Sequence, residues 1–121
     1  ELVYKALEES VGGETYISKI PSFKITDLAK AMLSDCTLKE VGIREGEKIH
    51  EVMVTKDDSR FTFEFDKHFV IAPHFNWWNE KKSNLEKKKK DVSGFEYASG
   101  GNDQWLDVEN LRKELKKNGF C

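Results

Sequence analysis

The stretch ETYISKIPSFKITDLAKAMLSDCTLKEVGI, residues 14–43, decides the fold class of this chain. Residues 14–20 are rich in β-branched side chains and end at Pro21, which is typical of a strand. Residues 25–33 carry apolar side chains at i, i+3, i+4 and i+7, which predicts an amphipathic helix. Residues 38–43 read as a second strand. Strand, helix and strand with short connections predict a βαβ unit with parallel strands and a right-handed crossover.

The flanking sequence adds a hairpin and two helices. An apolar stripe near the N-terminus predicts a helix that ends at Gly12. Phenylalanines alternate with polar residues over residues 61–65, which predicts a half-buried strand, and residues 69–72 are its expected hairpin partner. Asp107 is expected to cap a C-terminal helix. The predicted class is therefore α/β: a βαβ unit, a β-hairpin and a C-terminal helix, with residues 73–93 as a surface excursion.

Composition limits the possible classes of protein. The 121 residues predict one domain or one lobe of a larger domain, and 20 basic against 22 acidic residues give a net charge of −2. This balance argues against a nucleic-acid or anionic-membrane binder, and the longest apolar run, residues 69–72, is far too short to span a bilayer. The sequence opens as if inside a helix, so we expect a piece of a longer protein. Cys36 and Cys121 lie far apart and are expected to be reduced cytosolic thiols.

Common catalytic and metal motifs are missing from the sequence. There is no GxGxxG or GxxxxGK[ST] phosphate loop, no GxSxG nucleophile motif and no HExxH zinc motif. Trp77-Trp78 and the run Lys87 to Lys90 allow two interpretations. They could stack and bind single-stranded nucleic acid, or they could form a solvated loop anchored by the indoles; the near-neutral charge of the chain favours the second.

The stretch GIREGEKIHEVM, residues 42–53, carries the most informative side chains. Arg44 would follow directly after the second predicted strand, where open α/β sheets place ligands. Gly46 permits a tight turn that could aim Glu47 the same way. An arginine binds phosphate bidentately and a carboxylate accepts hydrogen bonds from ribose hydroxyls, so the pair would suit a nucleoside diphosphate. The alternative is a surface Arg44–Glu47 ion pair of little energetic value.

Three motifs resemble those of one enzyme family. GIREGEKIHEVM resembles the GIRPGEKLHEVM signature of bacterial polysaccharide-biosynthesis nucleotide-sugar dehydratases and epimerases. GGETYISKIPSFKITDLAKAM and FEYASGGNDQWLDVENLRKEL are similar to stretches that lie upstream and downstream of that signature in the family. Within the family, Lys19 to Ser22 is most similar to the configuration-inverting UDP-N-acetylglucosamine 4,6-dehydratases of pseudaminic acid synthesis.

The resemblance implies a fold and an activity. The family is an extended short-chain dehydrogenase/reductase, and residues 1–121 would be its C-terminal nucleotide-sugar-binding lobe, without the N-terminal Rossmann domain that binds NADP. The implied reaction oxidises the sugar at C4, removes water across C5 and C6, and returns hydride to C6. The implied enzyme is cytoplasmic and homo-oligomeric. The segment alone, which lacks the cofactor loop and the catalytic residues, would be inactive and bind no cofactor.

The resemblance also implies roles for three residues. Arg44 matches the family's diphosphate-binding arginine, Glu47 matches the acidic residue near the ribose, and Asn102 matches a polar position expected to close over the substrate. Glu45 stands where the family usually has proline and adds a negative charge beside the expected phosphate site. A UDP-N-acetylglucosamine 4-epimerase and a non-enzymatic α/β binding module remain as alternatives, because the residues that would decide between them lie outside the sequence.

Overall fold

The computed structural model describes residues 1–75, 77–78, 85 and 94–120. In this part of the chain the helices are α1 (Leu2–Glu9), α2 (Ile25–Met32) and α3 (Val108–Lys117). The strands are β1 (Thr15–Ser18), β2 (Ser22–Phe23), β3 (Val52–Val54), β4 (Thr62–Glu64), β5 (His68–Ile71), β6 (Tyr97–Ala98) and β7 (Trp105–Leu106). Single 3₁₀ turns cover Asp58–Phe61 and Ser99–Gly101. The chain forms two compact units, Glu1–Lys19 with Val52–Ala98 and Ile20–Glu51 with Ser99–Cys121.

The first unit is built on a three-stranded antiparallel sheet in the order β1-β5-β4. The hairpin predicted from the alternating phenylalanines is confirmed, because Phe63 of β4 faces Val70 of β5 in the register. The N–H of Phe65 donates to the carbonyl of His68 at 2.9 Å and closes the turn between the strands. β5 is central and its first three residues are buried, which explains why residues 69–72, FVIA, form a continuous apolar run rather than an alternating pattern.

Both faces of this sheet are packed. Phe63, Val70, Ala72 and Leu85 form a buried cluster on one face, against which Trp78 packs. Ile17, Val54 and Phe69 form the other cluster. Successive side chains of a strand point to opposite faces of the sheet, so the sheet contributes to two small cores, one on each face. Trp78 is half-buried in the first of them, whereas Trp77 is 70% exposed, so only one of the two indoles anchors its segment in the way expected. The run Lys87 to Lys90, predicted to lie in the same solvated loop, is outside the described residues.

The N-terminal helix of the first unit is confirmed but leaves three large apolar side chains exposed. Val3, Tyr4 and Leu7 of α1 are 70–76% exposed, and no residue of the helix is buried. The helix ends at Glu9, three residues before the predicted end at Gly12, and Ser10 is already extended. An eight-residue helix with an exposed apolar stripe gains little from packing within this unit.

The second unit packs two helices beside a short parallel strand pair. β2 pairs with β7, with Ser22 opposite Trp105. α2 confirms the predicted amphipathic helix and carries Asp27 in its first turn. α3 is also confirmed: the carboxylate of Asp107 accepts a hydrogen bond of 2.8 Å from the N–H of Asn110. The helix ends at Lys117, and Gly119 follows with a φ of +76°, the left-handed conformation that glycine adopts most easily.

The predicted βαβ unit is wrong. Residues 38–43 form no strand, β1 pairs antiparallel with β5, and the parallel pair is β2–β7. Two features of the segment explain the error. Gly42 has a φ of +80°, which bends the chain out of an extended path, and Leu38, Val41 and Ile43 are 50–75% exposed. Short β-branched segments become strands when a neighbouring edge and a core bury them, and within the described residues this segment has neither.

Candidate functional site

The turn from Arg44 to Glu47 is closed by two reciprocal hydrogen bonds. The N–H of Glu47 donates to the carbonyl of Arg44 at 3.1 Å, and the N–H of Arg44 donates to Oε2 of Glu47 at 2.8 Å. Gly46 has a φ of +79°, so the turn uses a conformation that a side chain would strain. The charged turn predicted here is therefore confirmed, but Arg44 does not follow a strand, and its expected place at the carboxyl edge of a sheet is wrong.

The turn leaves the side chain of Arg44 available. The whole turn is exposed, and in the described parts of the chain no ion pair or hydrogen bond involves the guanidinium. The alternative of a surface ion pair between the side chains of Arg44 and Glu47 is therefore not what this turn contains. The carboxylate of Glu47 instead binds the backbone of Arg44, and an arginine held in this way presents its fork of donors to solvent.

Asn102 lies in the second unit and is fully engaged within the fold. Its Nδ2 donates to the carbonyl of Ile20 at 2.7 Å and to Oγ of Ser22 at 3.1 Å. Its Oδ1 accepts from the N–H of Gln104 at 3.2 Å, and its carbonyl accepts from the indole of Trp105 at 2.7 Å. No hydrogen bond among the described residues joins it to Arg44 or Glu47. Asn102 thus secures the junction of β2 and β7.

Two serines that the sequence did not single out connect the motifs. The hydroxyl of the buried Ser22 donates to the carbonyl of Ser99 at 2.8 Å. Ser99 in turn holds both backbone groups of Glu51: Oγ of Ser99 accepts from the Glu51 N–H at 3.1 Å, and the Ser99 N–H donates to the Glu51 carbonyl at 2.9 Å. We call Ser22, Ser99, Glu51 and Asn102 the serine network. It brings the KIPS segment, the end of the GIREGEKIHE segment and the SGGND loop together.

The same loop lies close to an imidazole. A Cβ placed on Gly100 would stand 2.8 Å from Cγ and Cδ2 of His50, so the loop approaches His50 as closely as a glycine allows. Gly101, the next residue, has nothing within 4 Å of such a Cβ. The sequence shows only a Gly-Gly turn here. Its partner could not be recognised, because His50 is 50 positions away in the chain.

The described residues contain neither a dinucleotide-binding turn that leads into a helix nor a cluster of metal ligands. A dinucleotide is held by a glycine-rich turn that leads into a helix N-terminus. Lys24 and Asp107 precede α2 and α3, and no glycine-rich turn leads directly into either helix, so these two helix N-termini do not fit NADP. Nor do the described residues contain a group of three or more His, Cys, Asp or Glu side chains that could hold a metal ion. Among the same residues, no helix has the length and apolar character needed to cross a membrane.

Comparison with known proteins decides the family. A family model described as "Polysaccharide biosynthesis protein" matches residues 1–73, which include α1, α2 and the Arg44 turn. The chain belongs to this polysaccharide biosynthesis protein family. The family resemblance inferred from the three motifs is therefore confirmed.

Relatives of this polysaccharide biosynthesis protein include nucleotide-sugar enzymes. Two proteins of Campylobacter jejuni named UDP-N-acetylglucosamine 4,6-dehydratase (inverting) are 39% and 40% identical over 116 residues, 92% of this chain. A UDP-glucose 4-epimerase of Rickettsia akari is 29% identical over 95% of the chain. The X-ray structure of Pen from Bacillus thuringiensis covers 98% of the chain with a TM-score of 0.76 at 25% identity. The chain spans about a third of the length of these relatives, 35% in each case.

Proposed function

We propose that this chain is the UDP-sugar-binding portion of a UDP-N-acetylglucosamine 4,6-dehydratase in bacterial surface-polysaccharide or flagellin-glycan synthesis. One observation carries the proposal: a two-hydrogen-bond turn exposes the Arg44 guanidinium without an ion-pair partner in the described residues. The likeness to the two Campylobacter jejuni dehydratases supports the choice of substrate. The proposed site residues are Arg44, Glu47 and Asn102.

In this proposal Arg44 binds the diphosphate. A planar guanidinium matches two phosphate oxygens at once and keeps its charge at any working pH. Glu47 fixes the turn through Oε2, which leaves Oε1 as an acceptor for a ribose hydroxyl. Asn102 contributes through the geometry of its loop, because its amide groups already bind Ile20, Ser22 and Gln104. No residue of this chain is assigned to bond making or breaking.

The rest of the proposed enzyme supplies the chemistry. The N-termini of α2 and α3 do not fit NADP, and we assign the cofactor and the catalytic residues to a Rossmann domain outside this chain. The exposed apolar face of α1, with Val3, Tyr4 and Leu7, supports this, since larger enzymes bury such stripes against neighbouring elements. We place the complete enzyme in the cytoplasm as a homo-oligomer.

A 4-epimerase is the second candidate, supported by the 29% identity to the UDP-glucose 4-epimerase of Rickettsia akari. The two functions share a nucleotide-sugar substrate and differ in its fate. The lower identity places this candidate behind the dehydratase.

One assay separates these possibilities. The full-length protein is incubated with NADP and UDP-N-acetylglucosamine, and the products are followed by NMR. A 4-keto-6-deoxy sugar supports the dehydratase, UDP-N-acetylgalactosamine supports the epimerase, and unchanged substrate with no UDP binding contradicts both. The 121-residue chain under the same conditions is expected to form no product; a 4-keto sugar formed by this chain alone would contradict the assignment of catalysis to another domain.

A further inference from the structure

The segment that carries Arg44 has few attachments. Residues 41–50 are all exposed, and residues 37–50 form no helix or strand. Within the described residues, the hydrogen bonds made by residues 37–49 are only those that close the turn between Arg44 and Glu47. The position of the turn in its unit must therefore be set where the segment ends.

The first firm attachment after the turn is at Glu51. Both backbone polar groups of Glu51 bind Ser99, and the preceding residue, His50, lies against Gly100. Only Lys48, Ile49 and His50 separate Glu47 from this attachment. Because the connection is only three residues long, fixing Glu51 also restricts the position of the turn, whereas a long loop would leave the turn free to move.

Ser99 is itself fixed to the interior of the unit. Its carbonyl accepts a hydrogen bond from Ser22, which is 8% exposed and lies on β2. Asn102 binds the same Ser22 hydroxyl and the carbonyl of Ile20. One hydrogen-bonded path from the Arg44 segment to buried structure therefore passes through the hydroxyl and backbone of Ser99.

We propose that Ser99 is a positioning residue for UDP binding: it anchors the segment that holds the Arg44 turn without itself touching the ligand. This inference rests on the proposed function of Arg44. An arginine whose backbone samples several positions must be ordered on binding, which lowers affinity without removing the contact. Removing the Ser99 hydroxyl frees the Glu51 N–H and should loosen the turn.

The test compares three variants of the full-length protein by calorimetric titration with UDP. Ser99→Ala should weaken UDP binding about three- to tenfold, the range expected for one hydrogen bond between neutral groups. Ser99→Thr keeps a hydroxyl and should restore most of the affinity. Ser34→Ala is the matched control, because Oγ of Ser34 also accepts one hydrogen bond in this unit, from Arg112 at 3.3 Å, but lies off the path to Arg44. It should bind UDP as the wild type does.

NADP affinity provides the readout that separates positioning from general damage. Ser99→Ala should leave NADP affinity unchanged; a parallel loss of UDP and NADP binding, or equal UDP affinities for Ser99→Ala and Ser34→Ala, would overturn the proposal. Arg44→Ala is measured beside them. If Arg44→Ala binds UDP like the wild type, the proposed function fails; if it weakens binding while Ser99→Ala does not, only the positioning role of Ser99 fails.

Discussion

The backbone N–H of Arg44 donates a hydrogen bond of 2.8 Å to the carboxylate of Glu47, and the two residues close a tight turn around Gly46. The carboxylate of Glu47 thus accepts a hydrogen bond from the main chain of Arg44 and does not bind its side chain. This division leaves a positive fork of donors exposed beside a carboxylate that is already oriented. It suits a ligand with both phosphate and hydroxyl groups.

The first prediction concerns Glu47 as the closing group of this turn. In the full-length protein, Glu47→Ala should weaken UDP binding about three- to tenfold, because the turn loses one hydrogen bond and Arg44 is no longer held. Glu47→Gln should retain much of the affinity, since an amide oxygen can still accept from the Arg44 N–H. Calorimetric titration with UDP measures both. If Glu47→Gln binds UDP as weakly as Glu47→Ala, the charge of Glu47 determines the affinity and closure of the turn does not.

Glu45 is the control for this pair, because it lies in the same exposed turn but makes no hydrogen bond in the described residues. Its negative charge stands beside the proposed phosphate site. Glu45→Gln should bind UDP as tightly as the wild type or slightly more tightly, and the gain should shrink as salt is added. Weaker binding by Glu45→Gln would contradict the proposed location of the phosphate.

The second prediction concerns the pH dependence set by Glu14. Its carboxylate accepts hydrogen bonds from the Ser10 hydroxyl and from the N–H groups of Val11 and Gly12, at 2.8–2.9 Å. Partial burial pushes the pKa of this carboxyl upward, but the hydrogen bonds from Val11, Ser10 and the neighbouring backbone outweigh it and leave the pKa lower than usual. The folded state therefore favours the charged form of Glu14.

A lowered pKa stabilises the fold above the pKa of the unfolded chain, about 4.3, and this contribution disappears as the pH falls through the folded-state value. Glu14→Gln should therefore lose about 0.5–1 kcal/mol at pH 7, a modest figure because the site is half-exposed. The difference from the wild type should vanish at low pH. Urea denaturation between pH 3 and pH 7, with an NMR titration of the Glu14 carboxyl, measures this; a pKa at or above the ordinary value would contradict it.

The third prediction concerns Arg112, which joins α3 to the end of α2. Its Nε donates to the carbonyl of Ala31 at 3.3 Å, and its Nη2 donates to the carbonyl of Lys30 at 3.2 Å and to Oγ of Ser34 at 3.3 Å. A cation at a helix C-terminus also interacts favourably with the helix dipole. Arg112→Ala should lower the free energy of unfolding by about 1–2 kcal/mol, and Arg112→Lys should recover part of this.

Lys113 is the matched control for Arg112, since it is the next residue on the same helix and is exposed. Lys113→Ala should change stability by less than about 0.5 kcal/mol. Denaturant unfolding followed by circular dichroism compares the variants. Equal unfolding midpoints for Arg112→Ala and Lys113→Ala would show that the three hydrogen bonds of Arg112 make no net contribution to the free energy of unfolding.

The parts of the fold that the sequence predicts are those with local causes. The stripe of α2, the cap of α3 at Asp107 and the alternation of Phe63 with its neighbours each depend on residues close in the chain. The turn at Gly46 was predictable for the same reason. Spacing alone therefore predicts that Arg44 and Glu47 lie in one turn, but not that the Arg44 N–H donates to the Glu47 carboxylate.

The parts that the sequence misses depend on distant partners. Ser22 and Ser99 are 77 positions apart, and β2 and β7 are two residues long, too short to carry a pattern. Residues 38–43 show the opposite error, a strand that is predicted but does not form. Their β-branched residues favour a strand, but burial decides whether one forms, and this segment is exposed. The hydrogen bond from Nδ2 of Asn102 to the carbonyl of Ile20 joins residues 82 positions apart, so no local pattern predicts it.

The central claim is that Arg44 binds the diphosphate of a UDP-sugar, and a calorimetric titration of UDP into the full-length protein tests it most directly. A charge-assisted bidentate contact contributes about 1.5–3 kcal/mol, so Arg44→Ala should raise the Kd by roughly ten- to a hundredfold. Arg44→Lys should recover only part of the loss, because a point charge cannot replace the fork, and NADP affinity should not change. Equal dissociation constants for UDP in the wild type and Arg44→Ala would contradict the claim.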